Sequence, residues 1–270
     1  MNITPTQLPT SYIDSNQGYC HLTGFWDKGL VKAAHLVAKS LSTDEISDLF
    51  GVEQIVLSDP RNGLSLHKNI EEGLDSGRIV IVPFPQDTGD TMTATRWKCV
   101  LTDKSQKDNM ITQQSSWYWR DLDNRELTFL NDNRPARRYL YFRFIVTYIF
   151  RKKTDAESDF VQNVETKGLW ATPGPYLRNS MLNVLSRNIS GHELPPPILE
   201  GSTFTDEQYP PERNPSLSGS LAAHGIRRAV INSAKEREHE DDTIDSGSDE
   251  DDSCSDEDDR PAFEHDFDIL

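Results

Sequence analysis

Cysteine is scarce in this sequence: three residues in 270, Cys20, Cys99 and Cys254, with no Cys-x-x-Cys pair. That spacing argues against a zinc knuckle and against a disulfide scaffold, and it suits a reducing compartment. Long apolar runs are missing too. The most apolar stretch, Tyr139 to Phe150, is interrupted by Arg143 and is too short to span a bilayer. The first residues hold no basic segment leading into an apolar one, so no secretory leader is expected. These absences predict a soluble intracellular protein, of nucleus or cytoplasm, with no membrane partner.

A basic excess is the third thing lacking. The chain carries 44 acidic and 28 basic side chains, a formal net charge of −16. Yet 17 of the acids, and only Arg237 and Arg260 of the bases, fall between Glu236 and Leu270. The preceding 235 residues hold 27 acids against 26 bases. The body is therefore near neutral, and the acidity belongs to a tail.

What is present divides the chain. Its length suffices for one good core or two small ones. Residues 1–17 carry Pro, Thr, Ser and Asn without periodicity and are expected as a flexible N-terminus. A motif-bearing module spans 18–93, and an accessory α+β segment over 94–200 packs on it. Residues 201–270 read as disordered linker and acidic tail: prolines break the order, and Asp241 to Asp259 cannot bury enough surface to offset its ordering entropy.

Within the module, Leu30 to Val37 reads as a turn or short helix leading into a strand that ends near His35. Ser42, with Glu45 three residues on, forms a capping box for a helix through Phe50. Asn62-Gly63 marks a turn. Leu66 to Leu74 can form a helix that Asp75 to Gly77 ends, and Arg78 to Val82 is a buried strand. Further on, Trp97 to Leu101 and Glu126 to Leu130 read as strands, with a hairpin turn at Asp123-Asn124. Pro135 to Lys153 is the strongest helix pattern, with cations in its last turn where the macrodipole favours them. Pro175 to Asn188 is a second helix.

Four strings stand out by their offsets: Cys20-His-Leu-Thr-Gly24, Ala34-His35-Leu36, Asp59-Pro-Arg-Asn-Gly-Leu64 and Leu74-Asp75-Ser-Gly77. Together, over roughly residues 18–83, they resemble an HNH endonuclease of the type found in fungi. Asn131 to Arg138, Tyr139 to Phe144 and Trp170 to Tyr176 are similar to sequence found beside such domains. The resemblance implies an α+β protein with a ββα-metal core, in which a hairpin and a helix hold one divalent cation against a scissile phosphate.

The resemblance implies His35 as general base, a role suited to an imidazole that is neutral near pH 7. It implies Asn62 as the residue that steadies the loop and orients that imidazole. Glu71, nine positions after Asn62, falls where the family's third residue ligates the metal, but the family's name expects His there. A carboxylate suits Mg²⁺ or Mn²⁺, with Zn²⁺ also open. Ala34 occupies the position where many such enzymes place an acidic ligand. His67, read as one helical turn before Glu71, or Asp59 is therefore expected to assist the metal. Arg61, Lys68, Arg134, Arg137 and Arg138 are the candidates for nucleic-acid contact, DNA ahead of RNA.

Each of these residues also has a plainer role. His35 can be a hydrogen-bonded core histidine, Asn62 part of a turn, His67 an exposed helix residue, and Asp75 a helix end. Cys20 and Cys99 are most simply small buried hydrophobes. The arginines from 134 to 143 can pair with nearby aspartates. Trp117, Tyr118 and Trp119 can stack on bases or fill a core. Two functions follow: a metal-dependent endonuclease, or a catalytically inactive HNH-fold interaction module, which Ala34, Glu71 and the near-neutral body favour. Ser246, Ser248, Ser253 and Ser255 each precede an acid by three residues, so phosphorylation can deepen the tail's charge. The tail is the surface expected to meet a protein partner.

Overall fold

A computed structural model describes residues 15–41, 43–52, 56–84, 96–211 and 214–241. The N-terminal lead-in before residue 15, Ser42 of the expected capping box, most of the loop from 83 to 95 and the acidic run from 242 onward lie outside the described residues. The architecture mixes helices and strands. Among the described residues the strands pair two by two, and the helices supply most of the core.

Strands β1 (Gln17–Cys20) and β2 (Gly24–Asp27) form an antiparallel hairpin. Its turn closes on Gly24, whose φ of +88° suits glycine, and Trp26 Nε1 donates to Thr23 Oγ1 at 2.8 Å. The Cys-x-x-Thr-Gly string is thus a turn signal. A short 3-10 turn then leads into β3 (Val31–His35), and α1 (Thr43–Phe50) follows. Strand β4 (Gly63–His67) returns antiparallel to β3, with His35 opposite Gly63 and Val31 opposite His67. Leu64 and Leu66 alternate inward as a strand with one buried face requires. Helix α2 (Lys68–Asp75) begins at once. It starts two residues later than the pattern from Leu66 suggests, because Leu66 and His67 are taken by pairing with β3.

The end of α2 is specified locally. Gly77 N donates to Leu74 O, and Arg78 N donates to Gly73 O at 2.8 Å. Gly77 takes φ +68°. This pair of bonds is a Schellman motif, which explains why the Asp-Ser-Gly string stops the helix there. The chain then runs into β5 (Ile79–Pro83), paired antiparallel with β6 (Trp97–Leu101).

Glu126 to Leu130 is not a strand. Only one bridge, Lys98 to Glu126, joins it to β6, and Asn124 at φ +63° turns the chain without a regular hairpin. Trp117 to Arg120 leads into a short helix α3 (Trp119–Leu122). Helix α4 (Arg137–Thr154) is enclosed on every side: all residues from Tyr139 to Ile149 are buried. A helix apolar all round belongs in a core, and β5, α5 (Asp159–Lys167) and α6 (Asn179–Ser190) pack against it. The second helix expected from Pro175 starts at Asn179, after a short strand β7 (Leu177–Arg178). Trp170 and Tyr176 close on Tyr141 with ring centroids 5.1 and 5.3 Å away.

The stretch beyond Glu200 differs most from its reading as linker. After α7 (Pro196–Leu199), β8 (Thr203–Phe204) pairs in parallel with β7. Helix α8 (Pro215–Asp241) then packs along α6 and α1. Phe204, Ala222, Ala223 and Ile226 are all buried. A few small or isolated apolar residues suffice there because α6 and α1 already present complementary faces. No helix among the described residues is long and apolar enough to cross a membrane.

Candidate active site

The β3–β4 hairpin and α2 bring together residues that lie far apart in sequence. His35 ends β3, and Glu71 sits in the first turn of α2. Both line one cavity of about 160 Å³, together with Ala38, Lys39, Asp75, Arg143 and Ala229. Helix α2 contributes Glu71 and Asp75, one turn apart and therefore on one face. Helix α4 contributes Arg143, whose Nη2 donates to Asp75 Oδ1. Helix α8 contributes Ala229. Burial, helped by the Lys39 ammonium, holds the His35 imidazole below its usual pKa. His35 is therefore neutral at pH 7 and carries a lone pair able to accept a proton.

Asn62 is almost wholly buried. Its Oδ1 accepts from Val37 N at 2.8 Å, and its Nδ2 donates to Val37 O and Leu57 O, both at 3.0 Å. Its backbone carbonyl accepts from Leu36 N at 2.9 Å. The amide thus clamps the segment just after His35 to the loop before β4. It acts on the backbone rather than on the imidazole ring, which was the contact expected of it.

His67 and Asp59, the expected assistants to the metal, do not line this cavity. His67 ends β4 instead of lying on α2; its Nδ1 accepts from Asn69 N at 3.3 Å as the helix N-cap, and its ring packs on Trp26 at 4.4 Å. Burial lowers its pKa, with Lys68 adding to the effect. Asp59 caps the 3-10 turn Pro60–Asn62, accepting from Arg61 N at 2.8 Å and pairing with the Arg61 guanidinium at 2.7 Å. That partner holds its carboxyl below the usual range. Among the described residues no group of three or more His, Cys, Asp or Glu is arranged to hold a metal ion.

In the sequence Asp75 reads as a helix end and Arg143 as one of several basic residues, with nothing to assign either to this cavity. The i, i+4 spacing from Glu71 was the signal for Asp75. No local signal marked Arg143, which arrives from a separate helix. Ala34, one residue before the imidazole, is fully buried and offers no donor.

A second groove, of about 410 Å³, lies along the hairpin. Lys32, Arg61 and Arg134 supply its positive charge, with Phe129, Asn131 and Asn133 beside them. The Arg134 guanidinium sits 4.3 Å over the Phe129 ring. Lys68, Arg137 and Arg138 are not among the residues lining it. His21 borders the groove, and Ser65 N donates to its Nδ1 at 3.1 Å, which docks the first hairpin on β4. Burial, with Arg134 nearby, pushes the His21 pKa down to about 4. Trp119 is buried and so belongs to the core. Cys20 and Cys99 are both fully buried, and burial raises the Cys99 thiol pKa.

Residues 20–82 match the family model described as HNH endonuclease. The matched region holds the hairpin, α2 and β5, and with them His35, Asn62, Glu71 and Asp75. It supports an HNH nuclease-like protein with nuclease activity on nucleic acid, a class that generally uses a divalent metal ion. No curated protein and no solved structure matches the chain. Arg143 and Ala229 of the cavity come from outside the HNH region. Lys32 and Arg61 of the groove lie within it, and Arg134 outside it.

Proposed function

We propose that this chain is a metal-dependent endonuclease that hydrolyses phosphodiester bonds in DNA, built on a ββα-metal core. The observation that carries this reading is the convergence of His35 and Glu71, from β3 and α2, on one cavity. His35 accepts the proton of a water as that water attacks phosphorus, and the bond to the leaving oxygen breaks. Its depressed pKa keeps the base unprotonated at neutral pH. Asn62 is a positioning residue: it fixes the backbone that follows His35.

The donor set suits a hard cation. Mg²⁺ and Mn²⁺ take one or two carboxylates and keep several waters, so Glu71 with substrate phosphate is an adequate set, whereas a closed zinc centre needs more ligands than the cavity offers. Glu71 would hold the ion. Once bound, a divalent ion supplies charge stabilisation at the leaving oxygen. Lys32, Arg61 and Arg134 along the hairpin groove support a nucleic-acid backbone passing there.

A second reading has an observation in its favour. Ala34 offers no ligand, and no three-donor group exists among the described residues, as a catalytically inactive interaction module on the same fold would have it. Supercoiled plasmid incubated with the protein and Mg²⁺, Mn²⁺ or Zn²⁺, beside His35→Ala, separates the two. Metal-dependent nicking that disappears in the variant supports the enzyme. Intact plasmid under every ion rejects it in favour of the module.

A further inference from the structure

We propose that Arg143 and Asp75 form an exchangeable pair: a substrate phosphate draws Arg143 away from Asp75, and the released carboxylate joins Glu71 in holding a divalent cation. The inference rests on the endonuclease reading above and adds to it two residues and a coupling between phosphate and metal.

Asp75 and Glu71 share one face of α2, and both line the His35 cavity. The Schellman turn through Gly77 fixes the backbone at Asp75, so its carboxylate is presented from a rigid helix end. Arg143 supplies the positive partner. It is the one cation within the eleven consecutive buried residues of α4, and its side chain is 10% exposed. Burying a guanidinium carries a desolvation penalty that ion pairing often does not repay, which favours a functional reason for its presence.

Arg143 also has somewhere to go. It stands on the wall between the catalytic cavity and a second cavity of about 370 Å³, which Arg78 and Arg151 also line. Its side chain borders both spaces. Its planar fork fits carboxylate and phosphate alike, so a phosphate is a direct competitor for the bonds now made to Asp75. The hard cations are typically bound through one or two protein carboxylates plus phosphate. Asp75 is engaged by Arg143, and a phosphate that draws Arg143 away lets Asp75 join Glu71 in the set. By linkage, cation and phosphate each raise the affinity for the other.

The test is Mn²⁺ binding by calorimetry, without nucleic acid, to the full chain and to Arg143→Gln, Asp75→Asn and the double variant. Arg143→Gln removes a charge-assisted bond that competes for Asp75, so it is expected to bind Mn²⁺ on the order of tenfold more tightly than the unmodified chain. That gain is expected to vanish when Asp75→Asn is also present. A gain that persists in the Asp75→Asn background reports loss of a positive charge only and overturns the proposal, as does no gain at all. Thermal melts identify any variant that fails to fold.

If Arg143→Gln does not fold, sodium sulfate serves as a tetrahedral anion at constant ionic strength. Sulfate is then expected to tighten Mn²⁺ binding to the unmodified chain and not to Asp75→Asn; equal effects on both overturn the proposal. Plasmid nicking separates this idea from its premise. Nicking without the Asp75-dependent coupling rejects the exchange and leaves the endonuclease standing. Neither nicking nor Mn²⁺ binding rejects both.

Discussion

Replacing Asn62 by alanine removes three hydrogen bonds at one stroke: the buried ones from Val37 N and to Val37 O, and the part-buried one to Leu57 O. At about 1 kcal/mol net for each bond, the loss starts near 3 kcal/mol. The orphaned backbone groups of Val37 and Leu57 raise it toward about 5 kcal/mol, because a buried donor or acceptor left unmade carries its full desolvation cost. Against a total stability of roughly 5–15 kcal/mol, that is a severe change. Urea unfolding followed by far-UV circular dichroism is the assay. With a slope of about 2–3 kcal/mol per molar, the midpoint is expected to fall by roughly 1–2 M.

Asn62→Asp sharpens the test. It keeps the volume and the acceptor for Val37 N but turns an oxygen toward two carbonyls, so the introduced carboxyl is stabilised when protonated and its pKa rises in the folded state. A raised folded pKa means that stability is fullest below about pH 4, the unfolded value, and is lost as pH rises through the folded one. Asn62→Ala has no such pH dependence. An Asn62→Ala chain whose stability lies within about 0.5 kcal/mol of the parent, the range of an ordinary surface change, refutes the clamp.

Four shorter predictions follow from the same structure. His35→Ala is expected to cut nicking by roughly 10²–10⁴-fold while shifting stability by less than about 1 kcal/mol. Because the His35 pKa is depressed, the acid limb of the parent's pH–rate profile is expected below pH 6.5; a limb above that value contradicts the neutral-base role. For His21 the folded pKa is about 4 against 6.5, so its stabilisation is complete above pH 6.5 and is lost as pH falls toward 4, by about 3 kcal/mol at most. His21→Phe is expected to flatten that part of the stability–pH curve, and an unchanged curve refutes it. In Gly73→Ala the new methyl meets Trp119 ring carbons at 2.4 and 2.6 Å, so overpacking is expected to cost about 1–3 kcal/mol in a thermal melt; a neutral result means Trp119 yields freely. Truncation after Asp241 removes the acidic run beyond α8, whose negative charge repels a DNA backbone, and is expected to tighten binding to a DNA duplex at low salt, an effect that fades at high salt; equal affinity at all salt concentrations refutes that repulsion.

Much of the site was legible without coordinates. The offsets among Cys20, His35, Asn62 and Asp75 carried the HNH resemblance, and the family match over residues 20–82 agrees with it. The strand ending at His35, the stop at Gly77, the buried strand after Arg78 and the apolar helix through Tyr139 to Ile149 all follow from local pattern. These signals are short-range: turn chemistry, alternation and helix ends act over a few residues. The role given to His67 rested on spacing, and that given to Asp59 on the loop before Asn62 folding back. Spacing counted His67 on a helix, whereas pairing with Val31 made it the last residue of a strand.

What sequence by itself determined, then, is the local framework: a motif whose residues stop a helix at Asp75, close turns at Gly24 and Gly77, and set an imidazole at a strand end. Tertiary structure decided which side chains share a space. Arg143 reaches Asp75 from α4, and α8 folds back over a cavity that its own composition gave no reason to expect. The physical reason is that contacts between distant segments depend on how whole faces pack, and a single buried guanidinium or a few alanines leave no periodic trace in the chain that supplies them.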